Sequence, residues 1–363
     1  MTPLSQGRGA VFEEPVGPAG VRVRERPRTE PAEGAVAVAI RAASINHLDL
    51  WMAHGAQRVT PPRVIAADGA GLVHASTVDR WRPGDEVVIY PVSCCWECEW
   101  CRRGENVRCP RFGVIGEHTD GTGCELFHID ARNLFPKPKN LSWDEAAAFP
   151  LTFLTAWRML TTRGRLRTGE KVLVVGAGGG VATAAIRIAR HLGARVFATS
   201  RSEAKRRRAL EIGAEASFDS SDFSKPVREA SGGGVDVVVE SVGPATINES
   251  MRSVGQGGRI VVCGSTSGVK AEIGMPRLFW GHLDMLGSTM GNASEFESML
   301  HALDEGLRPI VDAVYPLDAV QDALTRLDLS EQFGKVVVSV STSRGARAER
   351  GSAVARSKPR ARR

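Results

Sequence analysis

Cys95, Cys98, Cys101 and Cys109 fall at C-x2-C-x2-C-x7-C within the stretch CCWECEWCRRGENVRC. Four thiolates at such spacings close a tetrahedron around one zinc ion and leave no position open for a substrate. One structural zinc per chain is expected, and the chemistry must come from elsewhere. Clustered cysteines can also form a disulfide framework, but that suits short secreted chains. This chain has 363 residues, and its opening MTPLSQGRGAVFEEPVGPAG is polar and Pro/Gly-rich, without a charged-then-apolar leader. A reduced, cytoplasmic protein is expected. Cys94 breaks the spacing, and Cys124 and Cys263 read as small buried hydrophobes.

The second constellation is Gly176-Ala-Gly178-Gly179-Gly180-Val181-Ala182, inside KVLVVGAGGGVATAAIRIARHLGARVFATS. A glycine-rich turn that follows a strand and opens a helix lets the backbone approach a pyrophosphate, whose charge is favoured at the helix N-terminus. With a second strand arriving by residue 196, the signal is that of a dinucleotide site. At the end of that strand an NAD site usually carries a carboxylate for the ribose hydroxyls. Here the run is Ala198-Thr-Ser200-Arg201-Ser202, with Lys205 one turn on and no carboxylate before Glu203. Ser200 and Arg201 suit a 2′-phosphate, so NADPH is expected in preference to NADH. The competing reading makes Arg201 a solvated helix-start residue.

These motifs need elements to hold them. VLVV is a continuous apolar run suited to a strand covered on both faces. VDVVVESVG (235–243) and GGRIVVCGS (257–265) are two more, and RSEAKRRRALEIGA (201–214) is a helix ending at glycine. This alternation indicates a doubly wound parallel sheet. Before it, AVAVAIRAASI (35–45), VIAADGAGLVHAS (64–76) and RPGDEVVIYPVS (82–93) read as short strands with turns. Ser142-Trp-Asp-Glu145 is a capping box opening a helix. After residue 295 come helix, strand, helix and a last strand, GKVVVSV. The expected class is α/β, with a β-rich domain (1–155, its cysteine lobe at 94–110), an inserted dinucleotide domain (156–295), and a return to the first domain (296–341).

Composition agrees with a globular protein: 42% of residues are hydrophobic, and no apolar run approaches a membrane span. The net charge of +6 invites a nucleic-acid reading. However, segment 342–363 carries eight basic residues against Glu349, a net +7, which leaves −1 for residues 1–341. That tail has little to bury and is expected to be a disordered, solvated extension, with nonspecific nucleic-acid contact as the lesser reading.

Taken together, the cysteine lobe, the capped helix, PLTFLTAW (150–157), the glycine turn and the closing FGKVVV (333–338) resemble the medium-chain dehydrogenase/reductase superfamily. The closest resemblance is to zinc-binding alcohol-dehydrogenase-like proteins with a quinone-reductase-like active site. The resemblance implies a GroES-like catalytic domain, a Rossmann domain, a cofactor in the cleft between them, and a homodimer or homotetramer. It extends the cofactor contacts to Thr155, Val181, Val242, Gly264 and Lys335. The catalytic-zinc ligands of that family fall at Asn46, Ala67 and Leu151 here, its relay hydroxyl at Leu48 and its relay histidine at Trp51. Asn is a poor zinc ligand, and Ala and Leu are none.

Hydride addition to a ketone makes an alkoxide that needs a Lewis acid or a placed proton donor. Addition to an enone or quinone spreads the charge and needs less. The expected function is therefore NADPH-dependent reduction of a quinone or α,β-unsaturated carbonyl without catalytic zinc. Asn46 would line the cleft and donate to substrate or cofactor, with His47 or Tyr90 as proton source. Two other readings stay open. One is a zinc alcohol dehydrogenase or carbonyl reductase whose unconventional metal site gathers His47, Asp49, Asp68 and His118. The other is a non-catalytic NADPH-binding or nucleic-acid-associated protein acting through its tail. Trp51, Phe112, Phe279 and Trp280 would line an apolar cleft or belong to the core.

Overall fold

The computed structural model describes residues 6–340. The basic segment 342–363 lies outside them. Strand Ala35–Ile45 covers the run AVAVAIRAASI and is the axis of the first domain. It pairs antiparallel with Asp68–Ser76, with Leu126–Asp130 and with the last strand, Lys335–Ser339. The sheet continues outward through Glu86–Ile89 and Leu134–Pro136 on one side and Val311–Pro316 on the other. Two registers set the geometry at one end of this sheet: Ser44 lies opposite Asp68, and Val336 lies opposite Ile45. Side chains from three strands far apart in sequence are thereby gathered there. An N-terminal hairpin, Gly7–Phe12 with Val21–Arg26, pairs with Arg63–Val64 beside it.

The second domain is a six-stranded sheet whose strands all pair parallel. Its order is Ala216–Phe218, Arg195–Thr199, Lys171–Val174, Val235–Glu240, Val254–Val262, Asp284–Gly287. In chain order this is 3-2-1-4-5-6, with the reversal between Lys171–Val174 and Val235–Glu240, where doubly wound sheets open a crevice for a dinucleotide. Val172, Leu173 and Val174 are all fully buried, as a strand covered on both faces requires.

Helix Trp143–Ala148 starts at the expected capping box: Ser142 Oγ accepts the Glu145 amide at 3.2 Å, and Glu145 Oε2 accepts the Ser142 amide at 2.9 Å. Helix Pro150–Arg158 follows with proline in its first turn and runs through position 155. Helix Ala293–Asp304 likewise runs through position 295. Both positions expected as domain boundaries thus lie inside helices. Among the described residues no helix is long and apolar enough to cross a membrane.

Candidate active site and metal centre

The sulfur atoms of Cys95, Cys98, Cys101 and Cys109 lie within 4.8 Å of one another, the only such metal-ligand group among the described residues. Amides point at the sulfurs: Cys98 N donates to Cys95 Sγ at 3.3 Å, and Arg111 N to Cys109 Sγ at 3.3 Å. Such donors stabilise thiolates; the Glu97 amide, helped by that of Cys98, holds Cys95 down to about 6. Four converging sulfurs with amide donors fit a tetrahedral zinc. Cys94 stays outside the group and accepts from Asn106 Nδ2 at 3.7 Å. Burial pushes Cys124 and Cys263 up to about 12, so both are inert thiols. Cys124 is buried as expected, while Cys263 is half-buried.

The three positions that would ligate a catalytic zinc do come together, around one carboxylate. Asp68 is fully buried. Its Oδ1 accepts the Leu151 amide at 2.7 Å, in the first turn of helix Pro150–Arg158. Its Oδ2 accepts Asn46 Nδ2 at 2.9 Å, Ser44 Oγ at 3.1 Å and Lys335 Nζ at 2.8 Å. Lys335 also donates to Asn46 Oδ1 and, at 3.0 Å, to the carbonyl of Ile45. All three ammonium hydrogens are thus used, and the lysine is 4% exposed. Ala66, just before, has φ +73°, a left-handed conformation that costs an alanine about 1–2 kcal/mol. Neighbours hold it there: its amide donates to Asp49 Oδ1 at 2.9 Å, and its carbonyl accepts the Thr122 amide at 2.8 Å.

Several expected site residues are placed differently. Both carboxylate oxygens of Asp49 are taken by backbone amides, those of Asn46 and Ala66. Burial pushes this group up to about 6, with the two amides opposing. It braces the helix start. Tyr90 is fully buried among Trp96, Phe135 and Phe296, and its hydroxyl donates to the Gly291 carbonyl at 2.7 Å. Burial raises its pKa well above the ordinary tyrosine value. His118 accepts the Val114 amide on Nδ1 at 3.1 Å and does not gather with His47, Asp49 and Asp68 into a metal group. Phe279 and Trp280 are 56% and 75% exposed. Their helix meets the start of strand Val254–Val262 through Gly281 and Gly257, whereas a dinucleotide sits at the opposite, carboxyl ends of such strands. Phe112 packs against the core and Trp51 lies beside His47. His47 is half-buried at the first turn of helix His47–Ala53; burial lowers its pKa, and nearby Lys335 and Lys205 lower it further.

The glycine turn has the shape a pyrophosphate needs. Gly176 and Gly178 have φ of +81° and +125°, and a Cβ at Gly179 would meet nothing within 4 Å. A Cβ at Gly180 would meet Thr152 at 2.8 Å and the Lys335 stem at 2.9 Å, so both side chains border the turn. The Thr152 hydroxyl is buried without a hydrogen-bond partner, a donor left for a bound group. Thr155, by contrast, spends its hydroxyl on the Leu151 carbonyl at 2.8 Å. Val242 borders Gly176, and its backbone amide donates to the carboxylate of buried Glu240 at 2.7 Å. Glu240 also accepts from Gly243 N, Thr246 Oγ1 and Ser250 Oγ. Gly264 faces the Ser241 carbonyl across the same strand ends.

Beyond the second strand, Ser200 is buried and Arg201 is exposed. Lys205 lies over Gly178 and donates to the Ser330 carbonyl at 2.6 Å. Burial lowers the Lys205 ammonium; Asp312 opposes this, while Arg201, Arg208 and Arg326 add to it. Arg208 and Arg326 pair with Asp312, and Arg326 also with Glu331, whereas Arg201 and Lys205 have no ion pair among the described residues, which suits a 2′-phosphate. These residues fit a phosphorylated dinucleotide. Asp68 as a hub, the Thr152 hydroxyl and Glu240 escaped the sequence reading. Buried polar side chains facing a glycine turn are visible only after folding.

Residues 180–305 match the family described as zinc-binding dehydrogenase, and residues 32–139 match the alcohol dehydrogenase GroES-like domain. An acryloyl-coenzyme A reductase of Metallosphaera sedula is 30% identical over 327 residues, covering 88% of this chain and 96% of the relative. A solved NAD-dependent alcohol dehydrogenase superposes with TM-score 0.89 at 42% identity, covering 92% of this chain and all of the other. A 2-octenoyl-CoA carboxylase reductase, CinF, solved with NADP and 2-octenoyl-CoA, superposes with TM-score 0.86 at 26% identity, covering 96% and 92%. The chain belongs to the medium-chain dehydrogenase/reductase superfamily, on its alcohol-dehydrogenase-like side, and is an oxidoreductase of that type.

Proposed function

We propose that this protein reduces an α,β-unsaturated carbonyl compound with NADPH, a conjugated thioester first and a quinone as the related acceptor. One observation carries the reading. Lys335 donates to Asn46 Oδ1, the one oxygen left among the three positions where the resemblance places zinc ligands, and to Asp68 Oδ2 beside it. The acryloyl-CoA and octenoyl-CoA relatives support the thioester class.

NADPH supplies a hydride when bound. Gly176, Gly178, Gly179, Gly180 and Val181 would hold its pyrophosphate, with Ser200, Arg201 and Lys205 at the 2′-phosphate. Thr152, Thr155, Val242, Gly264 and Lys335 would border the rest, and His47, in the field of both lysines, faces the same group. Hydride arriving at the β-carbon leaves negative charge on the carbonyl oxygen. Asn46 donates to that oxygen, which lowers the barrier where charge develops. Residues 1–155 and 296–341 would form the substrate side and 156–295 the cofactor side.

A second reading is favoured by the 42% identical NAD-dependent alcohol dehydrogenase. It requires a second metal equivalent, hence displacement of Lys335. The deciding experiment follows NADPH absorbance with conjugated thioesters, enones, quinones and simple alcohols while counting zinc. Turnover of a conjugated acceptor with one zinc per chain supports the first reading. Alcohol turnover that vanishes with a second metal equivalent overturns it.

A homodimer or homotetramer is also proposed. Strand Asp284–Gly287 ends the parallel sheet with one side unpaired among the described residues, and exposed Met285, Phe279 and Trp280 lie beside it. Light scattering on the eluting protein tests this. A cytoplasmic setting is proposed from the free thiols that a zinc lobe requires.

A further inference from the structure

We propose that Lys335 is a built-in cation that polarises the Asn46 amide and so sets the strength of the donor facing the substrate oxygen, with Asp68 fixing the orientation of both. This rests on the reading of Asn46 above. The geometry begins with the amide. Asn46 Oδ1 accepts from Lys335 Nζ, and Asn46 Nδ2 donates to Asp68 Oδ2 at 2.9 Å. Turning the amide over would set NH2 against an ammonium and oxygen against a carboxylate, so a single orientation is enforced. One of the two Nδ2 hydrogens goes to Asp68; the other has no protein partner among the described residues. Asn46 is 7% exposed, so this remaining N–H sits in a dry setting where a donor acts strongly.

Lys335 cannot serve the substrate directly, because Ile45, Asn46 and Asp68 take its three hydrogens. It acts through the amide. A cation on an amide oxygen draws charge away from the nitrogen, and charge-assisted bonds are roughly twice as strong as neutral ones. As negative charge grows on the substrate oxygen, the Asn46 N–H meets it with the ammonium on the amide oxygen, which works against the Asp68 carboxylate on the same nitrogen. The cluster is also the alternative to a metal: the oxygens that would bind a divalent ion are held by Lys335. Lys335 and Asp68 are therefore positioning residues, and Asn46 is the group that touches substrate.

Steady-state kinetics of the full chain with NADPH and a conjugated thioester or enone tests this. Removing one aimed donor typically lowers kcat by about 100- to 1,000-fold. Asn46→Ala should show a loss of about that size. Lys335→Met should lower kcat at least about tenfold at saturating NADPH; because the lysine stem also borders the glycine turn, the NADPH dissociation constant is measured separately by fluorescence titration so that saturation is assured. The double variant should be little worse than Asn46→Ala alone, because residues acting as a unit are not additive. If Lys335→Met does not fold, Lys335→Arg decides. It keeps the charge but replaces a point donor with a planar fork, and kcat should still fall. Unchanged kcat in either folded lysine variant, or a loss confined to cofactor affinity, overturns the proposal. So does strict additivity in the cycle. A parent protein that turns over no conjugated acceptor would instead overturn the reaction reading.

Discussion

Asn106 and Asn292 exchange hydrogen bonds between the cysteine lobe and the first turn of helix Ala293–Asp304. Asn106 Oδ1 accepts the Ala293 amide at 3.1 Å, and Asn292 Oδ1 accepts the Val107 amide at 3.2 Å. Arg158 adds ion pairs to Glu295 at 2.8 Å and to Glu105 at 3.6 Å. The lobe is thus fastened to the segment that also carries Met290, whose sulfur lies 3.8 Å from the Thr155 hydroxyl oxygen.

Loss of zinc should accordingly be felt beyond the lobe. Structural zinc binding is worth on the order of 10 kcal/mol in small peptides. Cys98→Ser is expected to lose the metal, lower the melting temperature and weaken cofactor binding. The order of preference among substrates should stay the same. Elemental analysis of chelator-free protein, with a cofactor titration alongside, checks both parts. No zinc in the parent protein would remove the basis of this expectation.

Cofactor choice should depend on Arg201. A hydrogen bond to a charged group contributes about 1.5–3 kcal/mol, or roughly ten- to hundredfold in affinity. Arg201→Ala is expected to weaken NADPH by that factor and leave NADH nearly unchanged. Equal affinities for the two cofactors in the parent protein would contradict this.

Tyr90→Phe separates packing from chemistry. It strands the buried Gly291 carbonyl, at a cost of about 1–3 kcal/mol in stability. The pH dependence of kcat should keep its shape, because the hydroxyl belongs to the core. A lost or shifted ionisation in the pH profile would return Tyr90 to the mechanism.

His47 gives the molecule a sensitivity to acid. Its pKa is lowered in the folded state, chiefly by burial and then by Lys335 and Lys205. The folded protein therefore binds fewer protons at this site than the unfolded chain. Its contribution is fully present above the ordinary histidine value of about 6.5 and is lost as pH falls through the lower folded value. Asp49, raised to about 6, works in the opposite sense: stability falls as pH rises from its ordinary value toward 6. Comparing His47→Gln with the parent cancels the Asp49 effect. The variant should lose less stability than the parent on acidification below about pH 6.5, as read from denaturant midpoints. Parallel curves for the two proteins would mean His47 titrates normally.

Local pattern alone determined much of this protein. The four clustered cysteines span Cys95 to Cys109, a short enough loop that spacing implies closure. The glycine turn, the buried strands around it and the Ser142 capping box are also short-range features, because strand, turn and cap obey periodicities of a few residues. The sequence also marked Asn46, Ala67 and Leu151 as unable to hold a catalytic zinc. The cluster that stands there instead was decided by tertiary structure. Lys335 reaches Asn46 across 289 positions and Asp68 across 267, and Tyr90 finds Gly291 across 201. Those meetings come from strand register, Ser44 opposite Asp68 and Val336 opposite Ile45, and from how the helix starting at Pro150 docks on the sheet. A buried polar group must find a partner, but its residue type does not say which one. Only the folded sheet brings a lysine from the last strand onto Asn46 and Asp68, and that contact puts a charged cluster where the resemblance places a metal.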